Sequence, residues 1–148
     1  MSSLLEKLKP FFALTGRASR LEYWRVQLAQ VVLSAVVMCL VVAATVVGGW
    51  LGAVPSLLFL PVLAAGVATT IRRLHDRDKA AWWILVFAAG PYALFGVAAL
   101  AYEDGADIAI LIGLALSLAA TGLSIWAWIE LGFLRGTKGE NRYGAATR

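Results

Sequence analysis

Apolar residues run almost unbroken through two long stretches, 26–71 and 80–134, and every Lys and Arg lies outside them. Each stretch is about twice the ~20 residues needed to cross a hydrocarbon core ~30 Å thick. Each therefore reads as a helical hairpin that leaves one side of a membrane and returns to it. The turns are marked by Gly48-Gly49-Trp50-Leu51-Gly52-Ala53 in the first stretch and by Glu103–Asp107 in the second. The pattern predicts an all-α membrane protein, one domain over residues 1–148, with four spans at about 26–50, 55–74, 80–102 and 108–134. Residues 1–25 form a cytoplasmic or interfacial lead, and 135–148 a cytoplasmic tail.

Local signals sharpen these limits. Ser19 and Glu22 have capping-box spacing, with Ser19 accepting from the Glu22 amide and Glu22 reaching back to the Ser19 amide. The first membrane helix is thus expected to begin near Arg20. Ser3 and Glu6 repeat the spacing, and residues 2–14 place Leu4, Leu5, Leu8, Phe11 and Phe12 near one face, the pattern of a short interfacial helix. Pro55 suits the first turn of the second span, and Pro61 is expected to loosen or kink it. Asp78 is placed to cap the third span, and Gly90-Pro91 at its middle predicts a bend. The fourth helix is expected to end near Gly136 in a left-handed residue.

Charge then orients the hairpins. The 13 basic residues form three clusters: Lys7, Lys9, Arg17, Arg20 and Arg25; Arg72, Arg73, Arg77 and Lys79; Arg135, Lys138, Arg142 and Arg148. All three fall on one side of the spans, whereas the second hairpin's turn carries only Glu103, Asp104 and Asp107. Positive charge confined to one side marks it as cytoplasmic, so both termini are expected inside. Trp24, Trp82, Trp83, Trp126 and Trp128 map to the inner interface and Trp50 and Tyr102 to the outer one, where amphipathic rings favour the headgroup layer.

A chain of 148 residues that is 61% hydrophobic exceeds the ~45–50% usual for soluble domains. The net charge of +4 is accordingly a topology signal, and no nucleic-acid partner is expected. Cys39 is the one cysteine, which excludes an internal disulfide and a cysteine-based metal site. Pro10 and the polar stretch 15–20 interrupt the N-terminal region, so the first span is expected to act as an uncleaved anchor.

Three polar stretches carry more than solubilising residues. They are Gly16-Arg17-Ala18-Ser19-Arg20-Leu21-Glu22-Tyr23-Trp24, then Arg72-Arg73-Leu74-His75-Asp76 followed by Trp82-Trp83, and Gly136-Thr137-Lys138-Gly139-Glu140-Asn141-Arg142-Tyr143-Gly144. In this order they resemble the bacterial inner-membrane proteins of domain-of-unknown-function family eight hundred and five, the YhaH-like proteins. The resemblance runs from about Pro10 to Tyr143, with Ala80-Ala81 where such proteins often carry Ser-Gly. It implies a small four-helix inner-membrane protein and no established activity.

The candidate chemistry is anionic-ligand recognition. Arg17, Arg20, Arg72, Arg73, His75, Asn141 and Arg142 are candidates for binding a phosphate or lipid headgroup, because guanidinium forks match phosphate oxygens. The bland reading is that the arginines are topogenic and snorkelling charges. Ser19 and Glu22 are assigned to helix capping. Asp76 is expected to pair with Arg72 or Arg73 at i,i+4 or i,i+3 spacing. Glu130 is the one acid embedded in an apolar helix, a functional candidate by default, although its nearness to Arg135 and the inner interface favours a carboxylate that faces water or pairs with a neighbouring basic residue. The glycines of the C-terminal motif suggest a backbone anion nest, or a tail folded back onto residues 16–24.

No nucleophile–base pair or metal set is visible, so neither catalytic residues nor a metal or other cofactor is expected. The leading expectation is a non-enzymatic membrane protein whose basic cytoplasmic face contacts anionic lipids or a protein partner. The alternative is a small oligomeric transporter or channel subunit built around Glu130, with homo-oligomerisation the route to a pathway.

Overall fold

Ser19 fixes the start of the first helix. Its backbone is extended (φ −69°, ψ 164°) and its hydroxyl accepts the Glu22 N–H at 3.2 Å, satisfying one orphan donor of the first turn. The structure, a computed structural model, describes Glu6 and residues 9–145. Helix α1 runs over Arg20–Val47 and stops where Gly48 turns extended. The chain reverses through a 3-10 turn, Gly49–Gly52, and a helical turn, Ala53–Ser56, before α2, Phe59–Asp76.

Helical structure therefore resumes ahead of the expected residue 55. Gly52 allows this, because a Cβ there would overlap the Thr45 hydroxyl. Pro61 does loosen the helix, but upstream of itself. Its ring would collide with the carbonyl four residues back, and Leu57-Leu58 form the break that separates the two helical pieces.

Asp78 has a different task from the one expected. It does not open the third span but closes α2, in a left-handed conformation (φ 57°). The Lys79 N–H reaches the Leu74 carbonyl at 2.9 Å and the Asp78 N–H reaches that of His75 at 3.0 Å. These are the two bonds of a Schellman cap, with aspartate in the usual glycine place.

The third span passes through a π turn, Leu85–Ala89, into α3, Gly90–Asp104. Pro91 has no N–H to give Phe87 and would clash with that carbonyl in a regular helix. The wider π turn removes the conflict, with the Gly90 N–H bonded to the Leu85 oxygen. Where the sequence predicts a bend at Gly90-Pro91, the structure has a π turn immediately before it. Left-handed Gly105 (φ 74°) ends α3, and α4 covers Asp107–Trp128, followed by a second π turn, Ile129–Phe133. The helix closes on extended Leu134, not on a left-handed Gly136 as the sequence suggests. The expected interfacial helix falls largely outside the described residues, as do Lys7, Arg148 and the Ser3 half of the first capping box. Within it, Lys9–Phe12 forms an exposed 3-10 turn that contacts α2.

The four apolar helical stretches, Gly49–Asp76 and Arg20–Val47 among them, are 19 to 28 residues long, sufficient to cross a bilayer. α1 packs on α2 and α3 on α4, whereas the helix contacts between the two hairpins fall mainly on the Ile129–Phe133 π turn. The core lies at that same end: Tyr23, Leu74, Phe87, Ala127 and Leu131 bury against one another, with Trp83, Ile84 and Val86 packed on them. Trp83 and Phe87 also meet Trp126 edge-on, with centroids 6.1 Å and 4.9 Å away.

Candidate functional site

The last turn of α2 is the centre of the basic end. Arg72, Arg73, Leu74, His75 and Asp76 are all buried, an unusual run for charged residues. Buried charge demands partners. Arg73 is fully enclosed, and its Nη1 pairs with Asp76 Oδ2, the expected i,i+3 contact. The other carboxylate oxygen takes Arg17, from Nε at 2.9 Å and from Nη2 at 2.8 Å. One aspartate thus joins two arginines that lie far apart in sequence.

Their remaining donors go to backbone carbonyls. Arg73 Nε donates to Leu131 O at 2.7 Å and Nη2 to Leu134 O at 2.5 Å. Trp24 Nε1 donates to Gly132 O at 3.0 Å and Arg20 Nη1 to Phe133 O at 3.2 Å, while Arg77 Nη1 takes Arg135 O. Five consecutive carbonyls, 131 to 135, therefore receive side chains from the other hairpin. These are the orphan acceptors of a helix C-terminus, where the macrodipole also favours cations. Arg20 and Arg73 from the first two motifs, with Arg77 and Trp24, thus cap the last helix.

The third motif folds back onto the same place. The Thr137 N–H and hydroxyl donate to Asp76 O at 2.8 Å and 3.2 Å. Asn141 Nδ2 donates to His75 O and to Thr137 Oγ1, each at 2.9 Å, and its own Oδ1 accepts the Tyr143 N–H at 2.9 Å. The Tyr143 ring stacks on His75 with centroids 3.8 Å apart, and His75 Nδ1 donates to Gly16 O at 3.2 Å. Left-handed Gly139 and Gly144 turn carbonyls, not N–H groups, toward Arg17, at 2.8 Å and 3.2 Å. The polarity is opposite to the anion nest that the glycines suggest. Gly136 is required for proximity: a Cβ there would overlap the Asp76 carboxylate.

Two further pairs complete the network. Glu22 does not close its capping box on Ser19; its carboxylate takes Arg72 Nη1 at 2.6 Å. Glu130, in the π turn, is buried; it binds Arg77 Nε at 3.1 Å and lies 3.7 Å from Lys79 Nζ, so its basic partners come from the end of α2 and not from nearby Arg135. Lys79 also sits over the Trp83 ring. Among the described residues, Arg72 Nε is the one buried side-chain nitrogen or oxygen without a hydrogen-bond partner.

The sequence candidates consequently divide. Arg17, Arg72 and Arg73 come together but commit their guanidinium groups internally, so they are not open forks for a ligand. His75 and Asn141 are framework residues, and Arg142 is held by Asp78 at 3.1 Å on the surface. Arg17, Arg20 and Arg73 of the original set line one open cleft, and of these Arg20 alone forms no salt bridge among the described residues. The cleft measures about 670 Å³, and its lining also includes Trp24, Phe133, Arg135 and Lys138. Among the described residues Arg20, Arg135 and Lys138 form no salt bridge. Arg135 and Lys138 have no periodic or pairing signal in the sequence; only the folded tail reveals them.

These features define a multi-pass integral membrane protein, two helical hairpins clasped at one end by a buried arginine–aspartate network. The family model for the protein of unknown function DUF805 matches residues 11–145, and the chain belongs to that family. Among its relatives, the inner membrane protein YhaI of Escherichia coli (strain K12) is 35% identical over 87 residues, covering 59% of this chain and 71% of the relative. The inner membrane protein YhaH of the same organism is 33% identical over 92 residues, covering 59% of this chain and 73% of the relative. No solved structure matches the chain. The protein is a component of the bacterial inner membrane.

Proposed function

We propose that this is a non-enzymatic inner-membrane protein, with both termini in the cytoplasm, whose basic end binds anionic lipid headgroups. One observation carries the reading. After the internal network has neutralised Asp76, Glu22 and Glu130, the cleft retains Arg20, Arg135 and Lys138, all exposed. Cations at the level where the spans emerge attract anionic headgroups by about 1 kcal/mol each. Both termini are assigned to the cytoplasm because the basic clusters meet at one end, as the positive-inside bias requires. The transport alternative receives no such support, since Glu130 is held by Arg77 and Lys79 at the basic end instead of standing alone in a span.

The test is the phospholipid retained by protein extracted in an uncharged detergent, compared with the bulk membrane. Anionic lipid should be enriched at least about twofold, as expected from ~1 kcal/mol per cation. Retained lipid no richer in anionic species than the bulk would sink the proposal.

A further inference from the structure

Directly beside the basic cleft, an apolar groove of about 840 Å³ opens between the hairpins, lined by Trp24, Leu28, Val31, Val62, Leu63 and Trp128 among others. Trp24 borders both spaces. We infer that the two form one seat for a single anionic phospholipid, its phosphate among Arg20, Arg135 and Lys138 and one acyl chain in the groove. This inference rests on the headgroup reading and makes it specific.

The dimensions agree. Along α1 the groove extends from Trp24 to Ser34, about 15 Å at ~1.5 Å per residue. That is half of a ~30 Å hydrocarbon core, the depth of one leaflet. The groove exists because the hairpins meet at the basic end and part below it. Its two glutamines are turned to the protein: Gln30 Nε2 donates to Val62 O at 2.8 Å and Gln27 Nε2 to the Tyr23 hydroxyl at 3.3 Å. The wall left for an occupant is mainly hydrocarbon and indole.

Charge completes the match. The cleft is lined by five cationic side chains and one carboxylate, and that carboxylate, Asp76, already carries Arg17 and Arg73. The N-terminus of α1, at Ser19 and Arg20, opens into the same space and adds the positive end of a 28-residue helix. A phosphodiester offers two unbridged oxygens to guanidinium forks, while its acyl chain lies in the groove.

Native mass spectrometry of the full-length protein, titrated with dioleoyl phosphatidylglycerol, reads this seat. One saturable adduct should form, and the triple variant Arg20→Ala/Arg135→Ala/Lys138→Ala should weaken it by about tenfold or more. Arg25→Ala removes an exposed charge of the same rim outside the cleft, and should change it by less than about twofold. Val31→Trp, which fills the groove, should weaken it by about fivefold. Should the triple variant fail to fold, Arg135→Ala, an exposed side chain, tests the same point alone.

Arg25→Ala acting as strongly as Arg20→Ala would overturn the seat while leaving a diffuse basic face intact. Equal affinity for dioleoyl phosphatidylcholine would overturn its charge selection. Glycerol 3-phosphate displacing the lipid at equal concentration would assign the cleft to a soluble phosphate ligand and overturn the acyl groove.

Discussion

The two ends of this protein are held together in different ways. At the basic end, charged side chains are enclosed, two of them essentially without exposed surface, Arg73 and Asp76. Within the membrane the reverse holds. Val31, Val46 and Leu118 are among many large apolar side chains left exposed, and the hairpins touch little. In water such exposure would be intolerable, but lipid is as apolar as leucine and gives helices no hydrophobic reason to associate. The hairpins are joined where the physics changes, at the interface, by hydrogen bonds and ion pairs that satisfy one helix end. Specificity of the fold therefore sits in the polar network, and the membrane-embedded half supplies insertion.

The sharpest way to break this contrast is Asp76→Ala. It leaves Arg17 and Arg73 as buried charges without their common anion, and should cost about 3–5 kcal/mol, read as a large fall in the unfolding temperature in detergent. Survival of wild-type stability would show that the network does not hold the hairpins. Gly136→Ala is expected next, at about 1–3 kcal/mol, because the added methyl must displace the Asp76 carboxylate and with it the returning tail. Hydrogen exchange rising at Thr137 and Asn141 would localise the damage. The smallest effect belongs to the other half. Val36→Ala, on the exposed membrane face of α1, should change the same unfolding temperature by the equivalent of less than about 0.5 kcal/mol. A loss comparable to that of Gly136→Ala would mean that this face is covered in the assembled protein.

Much of the fold is legible in the sequence because its signals are local or compositional. Two basic-free apolar stretches yield two hairpins, Ser19 yields the start of α1, and Pro91 yields an irregular third span. The misreadings concern residues whose full set of contacts is not local. Asp78, Glu22 and Gly136 each suggest a role from near neighbours, as a cap or a turn, and each also meets a residue distant in the chain, Asp78 while closing α2 instead of opening the third span. Asp78 meets Arg142, Glu22 meets Arg72, and Gly136 makes room for Asp76. The site is half legible: composition marks the three motifs, but not which arginines pair internally and which line the open cleft without an ion pair.

The four helices able to cross a membrane and the grouping of the basic segments at one end are set by residue type alone, because transfer of apolar helices into lipid and exclusion of charge from it do not depend on the fold. Folding alone brings Arg17 and Arg73 onto Asp76, aims Arg73 at the carbonyls of the last helix, and leaves Arg20, Arg135 and Lys138 without an ion pair among the described residues. Hydrogen bonds and ion pairs depend on direction and distance, and those are properties of the folded chain.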